Sequence, residues 1–524
     1  MRIGSGGSGR SVRLGALAGL GIGFVLASSA RGQATEQQSL TPATGTLYQE
    51  FGSSVATSGD VMVVGAPFDS TKAFQAGTAF ILRRSAVTGL WAQEKQLFAS
   101  DFEYDARFGT AVAADGDKVV VTAKAKDTAK GVDAGQVYVY RYDAVTKLWN
   151  EEQKLVPSGG KAGDGFGFSV AISGDSLVVG ANNVDFGGLV DAGAAYVFRW
   201  QDPTVKWIEE GQLLDSNAWH GDQAGRSVGI DGSTAVVAST LADTGGWLDA
   251  GAVSVFTRTG STWSQTADLT IANNYTFNDF GTAVAISGDR IVATAQGESY
   301  GTSIGSVGYC YIFERSGGTW GQTARIANPN LAPFSFFGKS VAIRGDLVVV
   351  GHQDNDTSGA VDSGAAWLFR WGKKTGWVAD GQLVASDRAA GDRFGTSVAV
   401  SDDTIVCGAP KNDTASGSDW GVAYAYAAAE LTLTLAPSHP APDQAIDGKV
   451  FRGAAGGLVF LAVEEISGSP VFVPLLQTVF AADNTFTFSD SAPNPALGFH
   501  VGVRAYKIAP TGKLVASELA YVDL

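Results

Sequence analysis

Cysteine is almost missing from this chain. Of 524 residues only Cys310 and Cys407 are cysteine, and each lies inside an apolar run, VGYCYIF and TIVCGAP. Two such residues cannot supply the disulfide framework of a small secreted domain, and their spacing matches no zinc site. Both read as small core side chains with no disulfide between them. Histidine is nearly as scarce, at four, and there are two methionines. No GxSxG, HExxH or phosphate-loop pattern occurs, and no phased Ser/His/Asp set. The familiar signatures of serine hydrolases, zinc proteases and nucleotide-binding enzymes are therefore lacking. Charged residues make up 17% of the chain, with 37 basic against 52 acidic side chains and a net charge of −15. No long helical pattern stands out.

Long apolar runs are also absent, apart from one near the N-terminus. Arg2, Arg10 and Arg13 precede LGALAGLGIGFVL (Leu14 to Leu26), and small residues follow in ASSARGQA. That order predicts a secretory signal over residues 1–34, cleaved after Ala30 or Ala34. The run is too short to span a bilayer, and no later segment reaches that length. Removing residues 1–34 would take away Arg2, Arg10, Arg13 and Arg31, leaving 33 basic against 52 acidic side chains, a net of −19. Such a charge repels nucleic acid and anionic membranes. It leaves cations, neutral sugars or basic protein surfaces as partners.

Glycine, in contrast, is abundant at 68 residues, and much of it is phased. The Gly of each Phe-Gly pair falls at 52, 109, 167, 225, 281, 338 and 395, with Ala224 replacing Phe in the fourth copy. The steps are 57, 58, 58, 56, 57 and 57. Trp91, Trp149, Trp207, Trp263, Trp320 and Trp377 keep the same phase, and so do Gly77, Gly135, Gly193, Gly251, Gly308, Gly364 and Gly421. Each copy holds four strand candidates. In the third copy these are FSVAIS, SLVVGA, GAAYVFRW and KWIEEGQLL. The first two join through a short Gly-containing turn, a strong hairpin signal. Four antiparallel strands per repeat of this length predict a propeller blade. The phased Trp residues predict packing between blades.

The seventh copy stops after GVAYAYAAA, with no Trp and no fourth strand, while Leu40 holds a fourth-strand position with no blade before it. The expected fold is therefore all-β: a seven-bladed propeller over residues 35–429, closed by an N-terminal strand at Glu36 to Leu40. From Leu431 the period vanishes. About seven strand-like runs separated by Pro, Gly, Asn and Asp predict a small immunoglobulin-like β-sandwich over residues 430–524.

Phe51-Gly52 with Gly65-Ala66-Pro67, and Phe394-Gly395 with Gly408-Ala409-Pro410, resemble the FG-GAP repeat family. Weaker forms are Phe166-Gly167 with Gly180-Ala181, and Phe337-Gly338 with Gly351. The best-known members of that family are the N-terminal propellers of integrin alpha chains. The resemblance covers about residues 36–429 and implies a propeller that binds partners through loops on one face. Calcium-binding members carry an Asp-x-Asp/Asn-x-Asp-Gly-x-x-Asp loop before the second strand. Here that place holds only short turns, such as Ser58-Gly59-Asp60, Asp115-Gly116-Asp117 and Arg344-Gly345-Asp346. Calcium takes six to eight oxygen ligands, so these turns are expected to hold no ion and no other cofactor. Arg344 reads as a substitution in the Ser-Gly-Asp slot and not as an adhesion ligand.

The opposite face carries acids in pairs six apart: Asp127 and Asp133, Asp185 and Asp191, Asp243 and Asp249, Asp356 and Asp362, Asp413 and Asp419. Blades one and five keep only Asp69 and Glu298 near the first position. Two readings apply to the pairs. Asp accepts backbone N–H bonds in turns, and carboxylates also attract a cationic or sugar partner or bind cations weakly. Asp105, Asp164, Asp222, Asp279 and Asp392 share that face. Trp219 and Trp247 stand outside the Trp phase in its loops and are candidate ligand contacts. His220 and His352 read as surface imidazoles. Three functions fit: a binding or adhesion module for an extracellular protein or glycan, a polysaccharide hydrolase with acids near the pore, or a structural envelope or matrix protein.

Overall fold

The computed structural model describes residues 34, 36–201, 206–272, 276–300, 304–330, 334–357, 359–373 and 375–428, together with the strand backbones of residues 431–435, 446–450, 458–466, 476–479, 500–508 and 514–523. The proposed signal over residues 1–34 lies outside these residues, save for Ala34. The chain divides into two units, and each is described by itself.

The larger unit is a seven-bladed β-propeller, and no helix occurs among its described residues. Blade one shows how the sequence makes each sheet. Ser54–Ser58, Val61–Ala66, Thr78–Arg84 and Trp91–Leu97 pair antiparallel in chain order. Ser58 faces Val61 across a two-residue turn whose first residue, Gly59, has φ 59°. Glycine at that position suits the turn that matches strand twist. All of Val61 to Ala66 is buried, because a blade is covered on both faces by its neighbours. Alternate side chains then serve two different cores. Val61 and Val63 pack with blade two against Phe108 and Tyr138, while Met62 and Val64 pack with Val406 and Ala423 of blade seven. Five further sheets repeat this order at residues 108–155, 169–213, 224–269, 280–327 and 341–383. Blade five also carries a two-stranded insertion, Ser299–Tyr300 with Ile304–Ser306.

Blade seven contains Ser397–Val400, Thr404–Ala409 and Val422–Ala427. Glu36–Leu40 pairs antiparallel with the last of these, placing Ser39 opposite Tyr424 and Leu40 opposite Ala423. First strands of consecutive blades pack on one another, so they line the interior of the ring.

The Phe-Gly repeat is a seam between blades. Gly77 at the head of a third strand forms a parallel bridge to Phe108 of the next blade, and Phe108 N–H donates to Ala76 O at 2.9 Å. The Gly109 carbonyl accepts the Ser54 hydroxyl of blade one at 2.9 Å, and the Gly52 carbonyl accepts the Ser397 hydroxyl of blade seven at 2.7 Å. A Cβ on Gly109 would lie 2.3 Å from Thr78 O, and its φ is 95°, so only glycine fits. Phe108 is fully buried, edge-on to Tyr138 at 5.1 Å.

The third and fourth strands of six blades share a register shift at the same point, a β-bulge. The extra residue in the first three blades is Glu94, Glu152 or Glu210. Each accepts the indole N–H of the following blade's phased Trp: Trp149 at 3.1 Å, Trp207 at 3.0 Å and Trp263 at 3.1 Å. The expected packing of these Trp residues between blades is thus also a hydrogen-bonded link. Cys310 and Cys407 are buried and free.

In the other unit, Leu431–Leu435, Ile446–Val450, Leu458–Ile466 and Leu476–Val479 form a four-stranded sheet in chain order. His500–Ile508 and Leu514–Asp523 pair as a two-stranded sheet.

Candidate functional site

The two faces of the ring differ. On the face of the first hairpin turns, polar side chains tie blades together. Ser58 Oγ accepts the Gly116 N–H of blade two at 3.0 Å, Asp115 accepts the Gly174 N–H at 2.6 Å, and Asp231 accepts the Gly288 N–H at 2.6 Å. In Arg344-Gly345-Asp346 the Gly345 N–H donates to Ser287 at 3.3 Å, Arg344 bonds Asp402 at 2.6 Å, and Asp346 accepts Arg290 at 2.5 Å. That triplet is built into the seams like the other turns.

On the opposite face the acidic pairs share one geometry. In each pair the first Asp accepts the backbone N–H of the second through Oδ1. The distances are 2.9 Å for Asp127–Asp133, 2.8 Å for Asp185–Asp191, 3.0 Å for Asp243–Asp249, 3.0 Å for Asp356–Asp362 and 2.8 Å for Asp413–Asp419. The second Asp sits in the left-handed region, with φ between 47° and 51°. Asp tolerates that conformation better than most side chains. Its carbonyl then accepts an N–H from the next blade, as from Gln223 to Asp191 at 3.1 Å and from Arg393 to Asp362 at 3.1 Å. The pairs therefore shape loops that latch onto the following blade. They stay one to a blade, and the described residues contain no group of three or more His, Cys, Asp or Glu able to hold a metal. In blade five Glu298 replaces the pair: it is buried and accepts Tyr311 Oη at 2.6 Å and Arg325 at 2.7 Å.

A second set of acids caps the loops before the Phe-Gly motif. Asp164 accepts the Lys161 N–H at 2.7 Å, Asp222 the Trp219 N–H at 2.7 Å and Asp392 the Ala389 N–H at 2.6 Å. Burial is the main cause that lifts Asp222, Asp279 and Asp392 to about 6. Nearby carboxylates add to the shift: Asp215 and Asp243 at Asp222, Asp249 at Asp279, Asp387 at Asp392.

Trp219 is 62% exposed and lies edge-on to His220 at 5.7 Å; Trp247 is 43% exposed. Both lie in loops of this face. His220 Nδ1 accepts the Val190 N–H at 3.1 Å. His352 corrects the sequence reading. It is the last residue of the buried strand Leu347–His352, fully enclosed and edge-on to Phe337 at 5.7 Å. Burial holds it near pKa 4, so the ring is neutral. Its position in the other blades is taken by Ala or Ser, which is why it lies in a strand and not in the loop.

Sequence reasoning missed the rest of an aromatic surface. Tyr48, Phe74, Phe102, Tyr104, Phe277 and Phe334 are also exposed. Together with Trp219 and Trp247 they are all the exposed aromatics among the described residues, and every one lies in a loop of this face. Phe74 and Tyr104 stack at 5.1 Å. Phe74 and Tyr104 each stand directly ahead of a left-handed residue, Gln75 and Asp105.

Four-stranded blades joined by Phe-Gly seams, with one loop face rich in exposed aromatics, define a repeat propeller. The chain belongs to the FG-GAP repeat family: the family model "FG-GAP repeat" matches residues 34–82, 91–140, 149–198, 207–256, 320–369 and 377–426. The unmatched stretch, 257–319, holds most of blade five and its insertion. Similar solved structures include Sqt1 of Saccharomyces cerevisiae (8% identity, TM-score 0.41, covering 81% of this chain and 97% of that one). Another is a putative 6-phosphogluconolactonase of Bacteroides uniformis (10%, 0.46, 80% and 99%). A third is the periplasmic gluconolactonase PpgL of Pseudomonas aeruginosa (16%, 0.41, 64% and 86%). No curated protein matches the chain.

Proposed function

We propose that this protein is an exported binding module that recognises an extracellular protein or glycan through the loop face of its propeller. The observation that carries the reading is the gathering of every exposed aromatic among the described residues on that one face. Aromatic side chains give large contact area at low entropic cost and stack on sugar rings as well as on protein. In this reading residues 1–34 direct export, and Glu36–Leu40 is the clasp that closes the ring on blade seven. Residues 430–524 form a small β-sandwich that accompanies the binding unit. Neither a cofactor nor a strong calcium site takes part in this reading: the turns of one face are too short for calcium, and the first Asp of each pair on the other accepts a backbone N–H. Nucleic acid is not a partner.

A glycan and protein array probed with the purified full chain, with and without calcium, tests this. The expected outcome is retention of a discrete ligand, no turnover of it, and no calcium-dependent shift in melting temperature. Turnover of a polysaccharide would favour the hydrolase reading. A strong calcium shift would overturn the assignment of the acids.

A further inference from the structure

The residue after each motif glycine marks seven equivalent places around the ring: Ser53, Thr110, Phe168, Arg226, Thr282, Lys339 and Thr396. In four blades the hydroxyl simply closes its own turn. Ser53, Thr110, Thr282 and Thr396 donate to the carbonyl three residues back, at 2.8, 2.7, 2.8 and 2.7 Å. Blades three, four and six give up that bond for Phe168, Arg226 and Lys339.

These departures converge. Lys124, just past the second strand of blade two, lies 4.9 Å from the Phe168 ring centroid, and Arg226 lies 5.9 Å from the same ring. Arg226 of blade four also acts electrostatically on Lys124 of blade two and on Lys339 of blade six. A single side chain reaches blades on both sides of its own only across the interior of the ring. Arg107 adds to the field at Lys124 and Arg393 to that at Lys339. Lys124 and Arg226 thus flank one ring at the axial mouth on the loop face, and Lys339, Arg107 and Arg393 add positive charge around it, in a strongly acidic chain.

The acids nearby offset this charge only in part. Asp105 and Asp354 are the acids that reach Lys124 and Lys339, yet neither lysine has a carboxylate within ion-pair distance among the described residues. Asp105 is engaged with Arg107 at 2.9 Å, and Asp354 accepts Gln353 at 3.3 Å. Asp279, which feels Arg226, forms no ion pair with it. Partial burial, and then the neighbouring arginines, push Lys124 below its ordinary pKa. An excess of cations over acids repels within the fold, and a bound anion relieves it.

We propose that the axial mouth is an anion site in which Lys124, Arg226 and Lys339, flanked by Arg107 and Arg393, bind the oxyanion of a small carboxylate or phosphate ligand. Guanidinium and ammonium donors suit such groups, and Phe168 provides an apolar wall beside the charge. The proposal rests on the charged groups alone and does not depend on the array ligand.

Calorimetric titration of the full chain with citrate and with inorganic phosphate, at constant ionic strength, tests the proposal and separates the two sources of oxyanion. Saturable binding of either one is expected, with affinity falling about tenfold or more in Arg226→Gln/Lys339→Gln, as loss of charged donors implies. Lys206→Gln, outside the mouth, is expected to leave binding unchanged. If the double variant fails to fold, Lys124→Gln alone carries the test. A second readout needs no ligand: Lys339→Gln should melt at or above the wild-type temperature in low salt, because it relieves repulsion. Absence of saturation with both anions, or equal loss in Lys206→Gln, overturns the proposal. So does a lower melting temperature in Lys339→Gln that salt does not change.

Discussion

The indole N–H of Trp207 in blade three donates a 3.0 Å hydrogen bond to the carboxylate of Glu152, the bulged residue in the fourth strand of blade two. Glu152 also accepts both Nε and an Nη of Arg141, at 2.5 and 3.3 Å. One bulge therefore turns a solvent-side carboxylate into a tie between sheets. The bulge places Thr266 and Thr323 there in blades four and five, and the Trp377 indole N–H is left without an acceptor.

Glu152→Ala strands the Trp207 indole N–H, while Arg141 keeps Asp117 at 3.1 Å. A loss of about 1–3 kcal/mol is expected, the cost of an unsatisfied buried donor. Urea denaturation followed by Trp fluorescence measures it. Thr266→Ala, at the equivalent bulge with no indole to satisfy, should cost clearly less.

Gly109→Ala and Gly116→Ala separate seam from turn. A Cβ at Gly109 meets the Thr78 carbonyl at 2.3 Å, while one at Gly116 meets nothing within 4 Å. Both carry positive φ, so both cost about 1–2 kcal/mol in backbone strain. Only Gly109→Ala should lose several more, or fail to fold, because two blades must separate. Thermal melts of the two variants give the comparison.

Asp127→Ala removes the acceptor for the Asp133 N–H and frees a left-handed residue. A cost of about 1 kcal/mol is expected, typical of one hydrogen bond. Faster hydrogen exchange at Asp133 and at Gly165, whose N–H bonds the Asp133 carbonyl, would locate the damage at this seam.

Asp279 gives a pH test with a definite sign. Its folded pKa is raised to about 6, chiefly by burial and then by Asp249. Protonation therefore favours the folded state: the contribution is complete below the unfolded value near 3.8 and is lost as pH rises through 6. Asp279→Asn should be more stable than wild type at pH 7, with the gap closing toward pH 4. His352 opposes this trend, because its folded pKa near 4 removes stability as pH falls below about 6.5. Melting temperatures from pH 4 to 7 for both wild type and Asp279→Asn resolve the two.

The blade count was legible because seven motif positions recur at nearly constant steps, and because only glycine tolerates the seam at residues such as Gly109. The Trp phase gave the packing, but not the partner at Glu152, since a bulge is invisible in period. The acidic pairs were legible as a pattern, and the turn geometry they form became visible only in the Oδ1 contacts. His352 misled because its polar type suggested a loop, whereas the repeat phase aligns it with Ala66, Ala123 and Ala409, the last residues of buried strands. The cations at Lys124, Arg226 and Lys339 went unseen for a different reason. They lie far apart in sequence, and only the closing of a ring brings blades two, four and six to one axis.

The division of labour between the two faces is tested most directly by measuring retention of the array ligand by two variants of the full chain. Trp219→Ala/Trp247→Ala alters the loop face, and Asp346→Ala alters the hairpin-turn face. Loss of retention only in the Trp variant, with melting temperature unchanged, is the predicted result. Retention by the Trp variant together with loss in Asp346→Ala would place recognition on the wrong face and contradict it.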